Sequence, residues 1–410
     1  MTTVLRHREL RALLLATLIS TAGDQLARVA LTVLVYSRTG SSLLSGLAYA
    51  STFLPALVGG PLLGGLADRL PRRQVMIVAD LVRAALFCVL AIPGIPIAVA
   101  LVLVVMVTLA ECPFDAARAA LLPSVDEGLY LQALALDRAA QQGAQVIGFA
   151  TGGLVLVVLN PSAALLLDAI TFVLSALVLV ARVGARPAAQ ATAGRPPGGV
   201  VADLRLAWRV VLADPATRRP VLFVWLACAV ACVPEGLAAP YAAQLGGGAA
   251  TVALLMAANP IGNTVSGLLL ARTPEGSRAR LLGPLGLLVS VPLALCLLAP
   301  GTPWLVVLVA LSGAGMALSV LARGQFVSRV PDAERGRAFA LAAAGITVAQ
   351  GVAVAVSAAV TELVSPALVV GVAGLLGIAA VGALRLTHPT PDPVRRVPEL
   401  ATAVPVPAEV

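Results

Sequence analysis

The sequence predicts an all-α membrane protein of twelve transmembrane helices in two groups of six. Three observations carry this reading. Of 410 residues, 59% are hydrophobic and 12% charged, where a soluble domain has about 25% charged residues, and the mean hydropathy is +0.97. The apolar runs reach about 20 residues, the length a helix needs to cross a bilayer, unlike the short alternating segments of a membrane barrel. All 28 basic residues are arginine, and nearly all fall between alternate apolar runs.

The spans follow in order, read from the apolar runs and the residues that interrupt them. Span 1 covers about 12–36 and continues too far past Arg6, Arg8 and Arg11 to be a cleaved leader. Span 2 covers about 44–66 and stops in the charged knot Asp68, Arg69, Arg72 and Arg73, with Pro71 ending the helix. Span 3, about 75–93, closes at Pro93-Gly94-Ile95-Pro96. Span 4 is about 97–117 and span 5 about 131–158, with Asn160-Pro161 turning into span 6, about 163–181. Spans 7, 8 and 9 cover about 221–244, 251–271 and 281–299. Pro300-Gly301-Thr302-Pro303 precedes span 10, about 304–322; spans 11 and 12 are about 338–362 and 367–385.

The resulting division is an N-terminal six-helix half over 1–181, a linker over 182–220, a C-terminal half over 221–385 and a Pro-rich, disordered tail over 386–410. Within the linker, Leu204, Trp208 and Val211 are spaced like an amphipathic helix lying on the membrane surface. The turns near 94, 160, 247, 301 and 365 carry no arginine, and Arg38 is the one exception on that side. Arginine marks the cytoplasmic side, so both termini lie in the cytoplasm and the chain is expected in the bacterial inner membrane.

The net charge of +8 is therefore a topology signal and excludes a nucleic-acid face. No nucleotide-binding loop, catalytic triad or HExxH motif appears, so neither an enzyme nor a cofactor is read. Cys228 and Cys232 stand one turn apart without histidine or carboxylate neighbours. They read as small packing residues and not as a metal site. The partners expected are a small-molecule substrate, protons and the lipid bilayer, with the chain acting as a monomer.

Several stretches resemble a known family. Gly64-x-Leu66-Ala67-Asp68-Arg69-x-x-Arg72-Arg73 resembles the signature between helices 2 and 3 of the major facilitator superfamily, with Pro71 at a position the signature gives to glycine. Ser20 to Asp24, Phe114 to Pro123, Leu166 to Ala169 with Phe172, and Gly336 to Phe339 are similar to its drug:proton antiporter branch, which holds macrolide-efflux proteins and the enterobactin exporter. The resemblance implies two rocking halves with substrate near the midplane. It also implies that Asp68 steadies the outward-facing state through neighbouring charges and the start of span 11. Gly143, Gly148, Gly152 and Gly153 in span 5 resemble the antiporter signature, with Phe149 replacing its proline; they also suit close helix packing.

Ionisable residues inside spans are functional candidates. Asp24 in span 1 has Arg28 one turn on, which reads as an ion pair lining a central cavity. Glu235, between Pro234 and Gly236, is its counterpart in span 7 and has no arginine within a turn. Asp168, Asn259 and Asn263 are further polar cavity candidates. Asp80 with Arg83, and Glu111 with Asp115 and Arg118, are expected near the cytoplasmic surface as a gating network with Asp68, Arg69, Arg72 and Arg73. The function expected is a proton-coupled secondary exporter of amphipathic or cationic small molecules, a drug, natural product or siderophore. The alternatives are an uptake transporter and a non-transporting sensor or assembly factor; a need for Asp24 and Glu235 in flux separates transport from the last.

Overall fold

The structure, a computed structural model, describes residues 7–63, 69–125, 130–184, 208, 215–327, 330 and 335–386. Asp68, Gly64, linker residues 185–207 and 209–214, and the tail from 387 lie outside the described residues.

Helix α1 runs Arg8–Thr39 and ends where Gly40 turns left-handed (φ 65°) and donates its N–H to the Tyr36 carbonyl. Glycine takes that conformation without strain. Span 2, expected as one helix, is two: α2 Ser42–Ala50 and α3 Leu54–Leu63. The Ser41 hydroxyl caps α2 by accepting from the Leu44 N–H. Pro55 lacks an N–H and would clash with the carbonyl four residues back, so the chain turns through 51–53 before α3 begins.

Helix α4 (Arg72–Leu90) follows Pro71, and α5 spans Ile97–Val125. Next come α6 (Tyr130–Val158) and α7 (Pro161–Arg182), the latter capped by the Asn160 side chain. In the second half, α8 (Pro215–Gly236) contains Pro220 and Pro234 and breaks at Leu237, and α9 (Ala238–Gln244) completes span 7. Then follow α10 (Ala249–Ala271), α11 (Glu275–Ala294) with a 3-10 turn to Leu298, and span 10 as α12 (Thr302–Gly315) and α13 (Leu318–Val327). Helices α14 (Arg335–Thr361) and α15 (Pro366–Leu386) close the bundle.

Among the described residues, eleven segments are long and apolar enough to cross a membrane by length and composition. The twelfth is α4, whose 19 residues include Arg72, Arg73, Asp80 and Arg83. Leu154, Val158, Leu268 and Leu376 are well exposed around the outside, as a lipid-facing belt requires. The protein is an all-helical, twelve-span bundle in two halves.

The halves meet along two seams. In one, α6 packs on α10, where a side chain on Gly153 would collide with Ala253. In the other, α2 packs on α14, where a side chain on Gly46 would collide with Ala358. Both contacts lie toward the arginine-poor ends of their helices. There too, the Glu362 carboxylate accepts from the Ser41 hydroxyl (2.8 Å) and the Leu43 N–H (2.7 Å). Within the N-terminal half, α1 approaches α6 so closely that a side chain on Gly148 would meet the Ala22 carbonyl, while Gly152 faces Leu26 and Val29. Gly143, expected to serve packing, faces open space instead.

Candidate functional site

Four helices of the N-terminal half turn polar stripes toward one another. Thr17, Ser20, Thr21, Asp24 and Gln25 of α1 recur every third or fourth residue and so share a face. The same holds for Glu111, Phe114, Asp115 and Arg118 of α5 and for Gln141, Gln142 and Gln145 of α6. With Arg83 of α4 they enclose a cavity of about 230 Å³. It reaches from the middle of these helices toward their arginine-rich ends.

Arg83 is the centre of this cluster and is only 1% exposed. Its guanidinium donates to Asp80, to Asp24 Oδ2 (3.4 Å) and to Ser20 Oγ (3.4 Å). The rings of Phe114 and Phe172 cover its faces, with centroids 4.7 and 4.3 Å from Cζ. A flat cation between two rings and two carboxylates is an arrangement for which lysine has the wrong shape.

Three expectations change here. Asp24 pairs with Arg83 and not with Arg28, which donates to Gln25 Oε1 (3.4 Å) and lies over Phe53. Four residues of helical spacing bring two side chains to one face, but the oppositely charged Arg83 from α4 reaches Asp24. Asp80, Arg83 and Glu111 are not near the surface, since Arg83 stands eleven residues into α4, about 16 Å along it. Arg118 does pair with Asp115 (2.9 Å), but its stronger contact is bidentate to Asp137 of α6 (2.7 and 2.8 Å), which also accepts from Gln141. Nothing in the local spacing singled out Asp137; its partner lies nineteen residues away in another helix.

Glu111 and Asp24 also line a second, smaller cavity of about 30 Å³, together with Arg28, Thr52 and Thr108. The two carboxylates thus stand between the larger cavity and the turn that interrupts span 2.

Glu235 is not without a partner. Its Oε2 accepts from the Tyr49 hydroxyl at 2.6 Å, and both residues are buried. Asp168 is fully buried behind α1, accepting from Thr171 Oγ1 (2.9 Å), and packs against Gly23. Asn259 donates to the Ala231 carbonyl (3.1 Å), tying α10 to α8. Neither these two nor Asn263 lines the polar cavity.

The arginines of the turn after span 2 bond to neighbouring helices. Arg72 donates to the Ala120 carbonyl (2.7 Å), and Arg73 to those of Leu179 (3.3 Å) and Val180 (2.6 Å) near the end of α7. Val180 lies in the last turn of α7, where carbonyls lack intrahelical donors and carry the negative end of the helix dipole; Ala120 lies inside α5, so Arg72 ties α4 to α5. Arg69 is exposed.

A polar cavity inside a two-half, twelve-span bundle defines a multi-pass membrane transporter and not an enzyme. The chain belongs to the Major Facilitator Superfamily, whose sequence model matches residues 13–241 and 236–408. It is similar to the multidrug efflux pump Tap of Mycobacterium tuberculosis (strain ATCC 25618 / H37Rv), 29% identical over 216 residues, 48% of this chain and 50% of that one. The Tap protein of Mycobacterium bovis (strain BCG / Pasteur 1173P2) matches to the same extent. The chain thus spans about half the length of the curated relatives it matches. Among solved structures, the nucleoside transporter NupG has a TM-score of 0.71 at 16% identity, covering 92% of this chain and 98% of that one. A POT family transporter in complex with a thioalcohol-conjugated peptide has a TM-score of 0.75 at 11% identity, covering 92% and 96%. At such identities these two likenesses concern the fold alone.

Proposed function

We propose that this transporter is a proton-coupled secondary exporter of amphipathic or cationic small molecules. It works as a monomer by alternating access in the bacterial cytoplasmic membrane, with both termini in the cytoplasm. One observation carries the reading. Lining the two cavities or paired with their lining, five carboxylates (Asp24, Asp80, Glu111, Asp115 and Asp137) gather with three guanidiniums (Arg28, Arg83 and Arg118). Charge at membrane depth must be compensated, so the excess of acid calls for protons, a cationic guest, or each in turn. That exchange is what an antiporter performs. The cavity reaches from mid-helix toward the arginine-rich ends, the side from which an exporter loads, and the matched portion of Tap supports the direction.

In proteoliposomes with an imposed pH gradient, the protein should accumulate an amphipathic cation such as ethidium, and a proton ionophore should abolish accumulation. Accumulation indifferent to the ionophore would exclude proton coupling, and transport only toward the cytoplasmic face would exclude export.

A further inference from the structure

Another cavity, of about 100 Å³, lies between α8, α13 and α14. Its lining comes from the beginnings of α8 and α14 and the end of α13, the arginine-rich ends of these helices. Val221, Trp225, Phe326, Phe339 and Ile346 give it an apolar, aromatic wall, and Arg323 is the only charged residue of the lining. The wall is held in place. The Trp225 indole donates to the Ala342 carbonyl (2.9 Å), and Phe326 meets Phe339 edge to face with centroids 5.3 Å apart. Arg323 is exposed and has no ion-pair partner among the described residues.

Helix α15 ends at Leu386 on the same side of the bundle and packs against α8, one of the helices that form this cavity. The sequence runs on past Leu386, and its charges are segregated. Arg395 and Arg396 come first; from Val397 to Val410 the only charged side chains are Glu399 and Glu409, set among valines, alanines and prolines. On a side of the bundle where arginine predominates, this stretch is acidic and apolar, and the cavity is basic and apolar. Residues 387–403 span up to about 55 Å at about 3.3 Å each, enough for Val404 and the residues after it to reach the cavity. Pro405 and Pro407 suit an apolar enclosure because proline has no backbone N–H to leave unpaired there. Aromatic-lined grooves are the usual receptors of such Pro-rich segments.

We infer that this cavity is the docking site of the chain's own segment Val404–Glu409. Pro405 and Pro407 sit against Trp225 and Phe339, and the Glu409 carboxylate takes the Arg323 guanidinium, whose donors match it. The segment competes, from within the same chain, with anything else that enters the cavity. A tether of this length gives an effective concentration on the order of millimolar, so a weak contact suffices to fill the site.

With Trp208→Phe and Trp304→Phe, Trp225 is the one tryptophan left in the sequence, and its quenching by acrylamide reports access to the cavity. Ending the chain after Arg396 should raise that quenching. A synthetic peptide of residues 397–410 should restore protection at about millimolar concentration. In a cysteine-free background, Ser319→Cys stands in the lining one turn before Arg323. Under mild oxidation it should form a disulfide with Ala408→Cys of the same chain, and not with Thr387→Cys beside the end of α15. Glu409→Arg or Arg323→Glu alone should lower the disulfide yield about tenfold, as loss of a hydrogen bond between charged groups would, and the two together should restore it. Quenching unchanged by the truncation, equal yields from positions 387 and 408, or no recovery on charge exchange would overturn the proposal. So would a disulfide that forms only between separate chains. Protection of Trp225 that requires phosphatidylglycerol in nanodiscs, and is the same with and without residues 397–410, would assign the cavity to an anionic lipid and end the proposal. None of these readouts depends on what the protein carries, so the export reading stands or falls separately.

Discussion

Tyr49 and Glu235 share a 2.6 Å hydrogen bond across the divide between the halves, in a place where both are buried. Tyr49 sits one residue before α2 ends, and Glu235 two before the break at Leu237. The bond therefore joins two interrupted spans at their interruptions, and any motion that parts the halves on the arginine-poor side must break it.

Tyr49→Phe should favour the arrangement open to the arginine-poor side. A hydrogen bond contributes about 0.5–1.5 kcal/mol, a population shift of about twofold to tenfold. In a cysteine-free background carrying Gln25→Cys, a membrane-impermeant thiol reagent applied from that side should label the cavity faster. An unchanged labelling rate would show that the bond holds nothing shut.

Glu235→Gln keeps an acceptor for Tyr49 while removing the titrating proton. The expected result is retained substrate binding and exchange with loss of accumulation against a gradient when a pH difference is imposed on proteoliposomes. Accumulation at the parent level would assign coupling elsewhere, with Asp24 and Glu111 the next candidates.

Arg83→Ala should be the most destabilising of the cavity substitutions, because it leaves Asp24 and Asp80 facing each other without their cation. Breaking a buried pair from one side costs about 3–5 kcal/mol, readable as a large fall in detergent-solubilised melting temperature. Asp24→Asn should cost less, since Asp80 still holds the guanidinium. Combining Asp24→Asn with Arg28→Gln should bring no recovery, because those two side chains are not each other's partners.

Gly148→Ala and Gly143→Ala form a contrasting pair. The added methyl at 148 would fall on the Ala22 carbonyl and should lower stability and yield. The one at 143 meets nothing within 4 Å and should be neutral or stabilising, by up to about 1 kcal/mol from helix propensity. Equal melting temperatures for the two variants would refute the close approach of α1 and α6.

Acidity on the arginine-poor side should loosen the outer seam. The Leu43 N–H and the Ser41 hydroxyl hold the Glu362 carboxyl below its ordinary value of 4.5. A depressed value means the contact contributes fully above the ordinary value and is lost as pH falls through the depressed one. Collisional quenching, by an impermeant quencher on that side, of a fluorophore attached beforehand at Gln25→Cys should increase as pH drops below about 4.5, and Glu362→Gln should flatten that dependence.

The spans and their division into halves were legible because apolar length and arginine placement are local signals that survive without tertiary information. The breaks in spans 2 and 10 were not read from the sequence: Pro55 and the Gly313-x-Gly315 pair sit inside apolar runs that hydropathy treats as continuous. Pro234 and Gly236 did signal the weak point of span 7. For the candidate site, the residue types were legible but the partners were not. Arg28 at four residues from Asp24 is a sequence neighbour, whereas Arg83 lies 59 residues away. Asp137 and Tyr49 are contacts made only by packing one helix on another. Phe114 and Phe172, noted for resemblance alone, enclose Arg83.

The interruptions of spans 2, 7 and 10 leave three of the twelve crossings as pairs of short rods joined by a few residues. A jointed crossing can swing one segment while the other stays packed. The arginine-poor end should thus open in stages, passing through an occluded form of measurable lifetime instead of tilting as two inflexible blocks.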